Sequence, residues 1–201
     1  MKIICIGRNY SAHAKEMGNS IPKEPIFFLK PDSAILPKRN PFYIPDFSQE
    51  IHYEVELLIK IKKLGKSINI EYAKDYYSEI GLGIDFTARD LQENCKKLGR
   101  PWEIAKAFDQ SAVISEKFIE IESLNEINFS LKKNGEIVQK SNLKEMIFST
   151  DQIIHYISKY MTLKIGDLIF TGTPSGVGPV KIGDKLEGFI NEQKMLSVNI
   201  K

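Results

Sequence analysis

Two glutamates, Glu54 and Glu56, lie in the middle of an otherwise apolar stretch, IHYEVELLI, at residues 51–59. Side chains of a strand alternate between its two faces. Ile51, Tyr53, Val55, Leu57 and Ile59 then share one face, and His52, Glu54, Glu56, Leu58 and Lys60 share the other. The two carboxylates point the same way from Cα atoms about 6.5–7 Å apart. Anions that close repel unless one is protonated or a cation lies between them. Taken alone, the pattern also fits a solvated polar face with Lys60 as partner. A second stretch, GLGIDFTARDLQ, shifts the balance: it places Asp85 at the end of another apolar strand, just before a helix start. A third carboxylate delivered there completes a facial set of oxygen ligands. With no Cys or His among them, the set suits a hard cation, Mg²⁺ first and Mn²⁺ or Ca²⁺ next. His52 shares the face, either as a neighbour of the set or as a packed or solvated imidazole.

Other groups could serve such a centre. His13 and Glu16, three apart in NYSAHAKEM, share a face of a helical turn, so the carboxylate can orient the imidazole and raise its basicity. Such a dyad can activate water as a general base, although an exposed surface pair has the same spacing. Lys106 sits in an apolar run, WEIAKAF, and must either snorkel or meet an anion. Arg89 and Gln92, in ARDLQ, fall on one helical face and can hold a carboxylate or an oxo group. Arg89 can equally pair with Asp85 or Asp90. The Gly-rich FTGTPSGVGPVKIGD is not a phosphate loop, because Gly178 is followed by Pro179 rather than by Lys and a hydroxyl residue opening a helix. Arg8 and Asn9 are minor candidates, and no catalytic role is expected of either.

The elements that must position these residues are mostly strands. KIICIG, PIFFLK, residues 51–62 and EIGLGIDF read as strands, and so do DLIFTG, DKLEGFI and KMLSVNI. INFSLKKNGEIVQK reads as a hairpin turning at Asn134-Gly135, a pair that tolerates positive φ. Helices are few. Residues 10–17 give a turn or two. Thr87 is placed to cap ARDLQENCKKLG, with Gly99 as its stop. Ser149 or Thr150 is placed to cap DQIIHYISKYM, whose Ile153, Ile154, Ile157 and Tyr160 share one face. The fold class expected is mixed and β-rich with short peripheral helices, and one domain spanning residues 1–201.

Composition narrows the function classes. With 42% hydrophobic and 27% charged residues, the chain has the balance of a globular protein rather than a disordered one. A net charge of +2, with Lys and Arg mixed among Asp and Glu, argues against a nucleic-acid surface. No run of about 18 apolar residues is long enough to cross a membrane. The N-terminal apolar run is too short for a signal peptide and lacks a small-residue cleavage site. A cytoplasmic location and two unpaired thiols, Cys5 and Cys95, are expected.

Six stretches in order carry a resemblance: CIGRNYSAHAKEMG, PIFFLKPDSAI, IHYEVELLI, GIDFTARDLQ, GRPWEIAKAFD and FTGTPSGVGPVKIGD. Together they resemble the fumarylacetoacetate hydrolase family, in particular its small members related to acylpyruvate hydrolases and oxaloacetate decarboxylases. The resemblance runs from residue 5 to about residue 190. It implies a roll of mixed strands around the site and a divalent metal, usually Mg²⁺, held by Glu54, Glu56 and Asp85. It implies a lid carrying the His13–Glu16 dyad, with Gly7 and Gly18 as permissible hinges, and Lys106 beside the metal. It also implies a rigid loop whose backbone amides, including that of Gly172, and Thr173 hydroxyl face an anionic substrate. Cleavage of a C–C bond in a small 2-oxo acid follows, as acylpyruvate hydrolysis or oxaloacetate decarboxylation. Isomerisation or decarboxylation of a 2-oxo-diene diacid from aromatic catabolism is the alternative within the family, and a catalytically silent metal or oxo-acid binding protein that retains the fold is the alternative of another functional class. Homodimers are usual in the family. Two departures stand out: Tyr53 occupies a place where similar proteins often carry a second His, and the extra N-terminal domain of larger members is not seen, which weakens assignment to fumarylacetoacetate itself.

Overall fold

The computed structural model describes residues 1–201 except Met17, Asn19, Leu124 and Asn125, so the last residue of the helix expected over residues 10–17 lies outside the described residues. In chain order, β1 (Ile3–Gly7) leads to α1 (Ser11–Glu16) and β2 (Ile26–Lys30). Next come β3 (Ile51–Tyr53), β4 (Val55–Lys60), β5 (Glu79–Asp85) and β6 (Thr87–Ala88). Helices α2 (Arg89–Leu98) and α3 (Glu103–Lys106) precede β7 (Ala112–Ile114) and β8 (Ile119–Glu120). The hairpin β9 (Asn128–Lys133) and β10 (Glu136–Asn142) is followed by α4 (Thr150–Tyr160). The chain closes with β11 (Leu168–Phe170), β12 (Gly178–Pro179), β13 (Lys185–Ile190) and β14 (Gln193–Asn199).

The largest sheet runs β2-β1-β11-β4-β5-β7, with β8 also on β5. Only β1 and β11 pair in parallel there, so the sheet is mixed. A second sheet orders β10-β9-β13-β14, and a small third one β12-β3-β6. The hairpin turn is where the sequence puts it, with Asn134 at φ 54° and Gly135 at φ 90°.

The single strand expected over residues 51–62 is two strands. At Glu54 the chain leaves the small sheet and enters the large one, and the Glu54 carbonyl accepts from the Asp85 amide at 2.8 Å. The alternation survives the break. Ile51, Tyr53, Val55, Leu57 and Ile59 all enter the main core, while Leu58 joins a second cluster with Ile3, Cys5, Ala34, Ala112 and Phe170. Each such buried side chain contributes roughly 1.5–3 kcal/mol over an exposed one. On the Leu58 face Lys60 is exposed and pairs with Glu79 at 3.0 Å, while Glu56 is buried.

Two helix expectations need correction. Thr87 does not cap α2: it lies in β6, Ala88 is the N-cap, and no side chain caps that end. Tyr160 is not on the buried face of α4. It is 58% exposed and leans on Tyr156 and Phe27, while Ile153, Ile154 and Ile157 are fully buried. Ser149 caps α4 in a capping box with Gln152, and Gly99 ends α2 at φ 62°.

Candidate active site

Strand directions bring the chemistry to one edge. Since β11 and β5 are both antiparallel to β4, and β1 is parallel to β11, the C-terminal ends of β1, β5 and β11 meet the start of β4. Glu56 faces Gly83 across the β4–β5 ladder. A Cβ on Gly83 would stand 2.7 Å from both Phe170 Cε1 and the Val113 carbonyl oxygen, so only glycine allows this close approach. Asp85 is two residues further along β5, beside Glu54.

Glu54, Glu56 and Asp85 are all buried, and one carboxylate oxygen from each lies within 4.8 Å of the others. Their partners differ. Glu54 accepts from Lys106 Nζ at 2.8 Å and from Arg89 Nη2 at 2.5 Å. Burial would raise the Glu54 pKa, but Lys106 and then Arg89 outweigh it and hold this carboxyl well below the usual range. Glu56 accepts one hydrogen bond, from the Gly172 amide at 2.7 Å. Burial first, then Asp85 and Glu54, push its pKa well up. Asp85 Oδ2 accepts from Lys106 at 2.7 Å. Asp85 Oδ1 has a charge partner in Lys30 Nζ at 2.7 Å, but the angle is wrong for a hydrogen bond and the oxygen accepts none.

Lys106 is 3% exposed, so it meets anions rather than snorkelling. Its three N–H groups go to Glu54, Asp85 and the Thr87 hydroxyl, the last at 2.5 Å. Burial opposes its charge, yet Asp85 and Glu54 raise its pKa. Arg89 pairs with neither Asp85 nor Asp90. Besides Glu54 it donates to Gln92 Oε1 at 2.6 Å and to His52 Nδ1 at 3.4 Å. Asp90 turns away to Ser48 and the amides of Gln49 and Leu91. His52, also bonded to Glu50 at 2.7 Å, therefore props Arg89 rather than touching the acids.

The dyad forms. His13 Nδ1 lies 3.1 Å from Glu16 Oε2. A carboxylate only accepts, so Nδ1 is the donor, and His13 stands in the wall of the acid-lined cavity of ≈ 40 Å³. Glu16 also accepts the Gly176 amide at 3.0 Å, which latches α1 to the Gly-rich loop. The chain turns into α1 at Arg8, φ 59°, rather than at Gly7, and Gly18 stands at φ 63° after it.

The Gly-rich loop is arranged differently from the expectation that its donors face a ligand. Gly172, at φ 102° with no room for a Cβ beside Asn9, gives its amide to Glu56. The Thr173 hydroxyl donates to the Val55 carbonyl at 2.9 Å and accepts from Gln139 Nε2 at 2.9 Å, although Thr173 still lines the cavity. Asn9 is a clamp, bonded to Phe148 and Thr171.

Three residues of the site are not among the sequence candidates. Lys30 ends the apolar strand β2 and is 2% exposed; the logic that applies to Lys106, a lysine in an apolar run needing an anion, would have found it. Thr87 has the sequence position of a cap. Gln139 ties β10 to the start of β4 through the Val55 amide at 2.9 Å, and no local signal marks it.

A family model described as fumarylacetoacetate (FAA) hydrolase C-terminal matches residues 2–201. A mitochondrial oxaloacetate decarboxylase of Dictyostelium discoideum is 48% identical over 190 residues, covering 92% of this chain and 87% of that protein. A mitochondrial oxaloacetate tautomerase of Mus musculus is 44% identical over 192 residues, covering 94% and 86%. The fumarylpyruvate hydrolase of Pseudomonas aeruginosa, solved with Mn²⁺ and pyruvate, superposes with a TM-score of 0.93 at 38% identity, over 100% of this chain and 89% of that one. Among the described residues no helix is long and apolar enough to cross a membrane. With its mixed, strand-rich architecture and its buried acidic triad, the chain belongs to the fumarylacetoacetate hydrolase family and is an enzyme.

Proposed function

We propose that this enzyme acts at C3 and C4 of small 2-oxo acids, with a divalent ion, Mg²⁺ by preference, on Glu54, Glu56 and Asp85. The observation that carries the reading is the triad's shortage of positive charge on one side. Glu56 is buried with a single amide donor and no cation paired to it among the described residues, and Asp85 Oδ1, buried beside the Lys30 ammonium, accepts no hydrogen bond. That donor set fits a hard cation, and the ion when bound supplies Lewis-acid polarisation of the 2-oxo group. The Mn²⁺ and pyruvate in the Pseudomonas aeruginosa enzyme support the same pairing of metal and 2-oxo acid.

The chain's own groups do the rest. His13 Nε2, with Nδ1–H held by Glu16, takes a proton from water as it adds to the acyl carbonyl of an acylpyruvate. The C3–C4 bond breaks, its electron pair passes to C3 and onto the 2-oxo oxygen, and pyruvate forms once C3 is protonated. Lys106 stands beside Glu54 and Asp85, where its charge offsets the negative charge gathering on the 2-oxo group or the substrate carboxylate. Arg89 keeps two of its five N–H groups for the substrate carboxylate, next to Gln92. Thr173 and Gly172 shape the opposite wall. With oxaloacetate the same electron flow releases CO₂, and no water is needed. The tautomerase name of the mouse relative favours a second reading, proton transfer at C3 by His13 without cleavage; the isomerisation of a 2-oxo-diene diacid is the same chemistry on a longer substrate. The complete acid triad and the His13–Glu16 dyad argue against a silent binding protein that retains the fold.

One catalytic unit over residues 1–201, a homodimeric state and a cytoplasmic location complete the proposal; sedimentation equilibrium reads the second. The decisive assay follows pyruvate release from acetylpyruvate and oxaloacetate, and the enol–keto absorbance change of oxaloacetate. Each is run with Mg²⁺, with EDTA and with Glu56→Ala. Metal-dependent turnover lost in the variant supports the site, and the ratio of rates names the reaction. Turnover that survives both EDTA and the substitution rejects it.

A further inference from the structure

A second cavity, of ≈ 410 Å³, shares no residue with the acid-lined one. It opens where two sheet edges diverge: β7 ends the large sheet and β14 ends the second one. Residues 36–42 strap the gap. The Leu36 amide donates to the Ala112 carbonyl of β7 and the Phe42 amide to the Asn199 carbonyl of β14, both at 2.9 Å. Between these anchors the chain turns, with the Asn40 amide on the Pro37 carbonyl at 3.1 Å and Arg39 at φ 67°.

Its floor is apolar. Leu36, Val113, Met195, Leu196 and Val198 line it and are all buried. On β14 Lys194 faces Phe189 and Leu196 faces Gly188 across the ladder, so Met195 is the extra residue of a bulge. That bulge lets two consecutive side chains, Met195 and Leu196, both be buried. Met195 is unbranched and polarisable, which suits a floor that takes more than one shape. The rim is cationic. Lys38, Arg39, Lys117 and Lys194 line it, and Glu116 is the one carboxylate among the described lining residues. Arg39 pairs with Glu116 at 3.5 Å and Lys194 with Glu187 at 3.3 Å, while Lys38 and Lys117 form no ion pair with a described residue. No titratable group lies on the floor, so this is a place to bind rather than to react.

We propose that this groove binds a small amphipathic anion, a carboxylate whose apolar body lies on the floor and whose charge meets Lys38 and Lys117. The cavity has the size for it, since small-molecule pockets span about 300–1,000 Å³. Other occupants fit less well. A second copy docked about a two-fold axis would set this cationic rim against an identical one. An added peptide strand needs a regular row of edge donors and acceptors, and the Met195 bulge interrupts that row on β14. A compact anion without an apolar body would leave the floor uncovered. The groove is a site apart from the acid centre, and its occupant is recognised by charge and tail rather than by a 2-oxo group.

Calorimetry of the protein in EDTA, with decanoate, decylammonium and hexanoate below their micellar concentrations, tests this. Removing divalent ions keeps the carboxylates from coordinating one at the acid triad. Wild type is expected to bind decanoate at a single saturable site, at least about tenfold tighter than decylammonium, which has the same tail and the opposite charge. Hexanoate, with a shorter tail, should bind at least about tenfold more weakly than decanoate. The double variant Lys38→Glu/Lys117→Glu should lose at least about tenfold in decanoate affinity and the preference over decylammonium with it. Both residues are exposed, so the fold should hold, which the melting temperature checks. Lys117→Gln alone, expected to weaken decanoate about threefold, keeps the test valid if the double variant does not fold. Equal affinity for decanoate and decylammonium, no saturable binding of decanoate, or an affinity unchanged by the rim substitutions overturns the site.

Discussion

The acid centre has two unlike walls. On one, α2, α3 and β2 bring Arg89, Lys106 and Lys30 against Glu54 and Asp85. On the other, the turn after β11 offers Glu56 a single backbone amide. Carboxylates of one buried cluster consequently shift in opposite directions, Glu54 down and Glu56 up. Burial is common to both, so burial does not decide the sign; the number of cations in contact does. The first wall resembles a folding element, closed on itself. The second is incomplete without a further positive charge.

If that division is real, substitutions on the two walls should fail in different ways. Glu56→Gln removes an oxygen ligand while relieving repulsion. Metal-dependent turnover should fall to about one-thousandth of wild type or below. The melting temperature of the metal-free protein should hold or rise. A metal-free fold badly destabilised by this change would show that Glu56 supports the structure as much as Glu54 does. Lys106→Met should do the reverse to stability. It strips both Glu54 and Asp85 of their shared partner, and breaking a buried pair from one side costs about 3–5 kcal/mol. Urea unfolding without metal reads it, and a loss below about 1 kcal/mol would mean that Lys30 and Arg89 alone carry the first wall.

The pH dependence follows from the same contrast. A carboxyl with a raised pKa in the fold holds its proton more tightly than the unfolded chain does. The stabilisation by the Glu56 proton is therefore complete below the ordinary value of 4.5 and fades as pH rises through the raised pKa. Glu54 behaves oppositely: its contribution is present above 4.5 and lost only as strong acid reaches its lowered pKa. A divalent ion must displace the Glu56 proton, so the gap in melting temperature with and without Mg²⁺ should widen as pH rises from the ordinary value of 4.5 through the raised Glu56 pKa. In Glu56→Gln the widening should vanish. A gap that is flat with pH in wild type would contradict the protonated state of the second wall.

Much of this arrangement is legible in the residues, and the limit of legibility is physical. Alternation along 51–59 separates core from carboxylates correctly, because side-chain direction in a strand is a local property. Asn134-Gly135, Gly99 and Ser149 are readable for the same reason: each satisfies a backbone requirement within four residues. The change of sheet at Glu54 is not readable, since it depends on which distant strands pair on either side. Nor is the identity of each carboxylate's partner. Lys30, Lys106 and Arg89 come from three elements that only the fold brings together, and Thr87 looks like a cap because its position before α2 is where a cap belongs.

Thr87 offers the smallest and most local test of the first wall. Its hydroxyl accepts from Lys106 Nζ and, at 3.4 Å, reaches the Asp85 carbonyl. Thr87→Val keeps the shape and removes that acceptor from a buried ammonium, which should cost about 1.5–3 kcal/mol. Turnover should change less than in any variant above, because both carboxylates still hold Lys106. Thr87→Asn separates this role from capping. Asn caps a helix at least as well as Thr, so it would restore stability if the hydroxyl served α2. Thr87 is fully buried, however, and its contact is with Lys106. A larger amide cannot enter that space without displacing the ammonium, so Thr87→Asn should unfold at lower urea than Thr87→Val. Recovery by Asn would return Thr87 to the helix and leave Lys106 with two partners that matter instead of three.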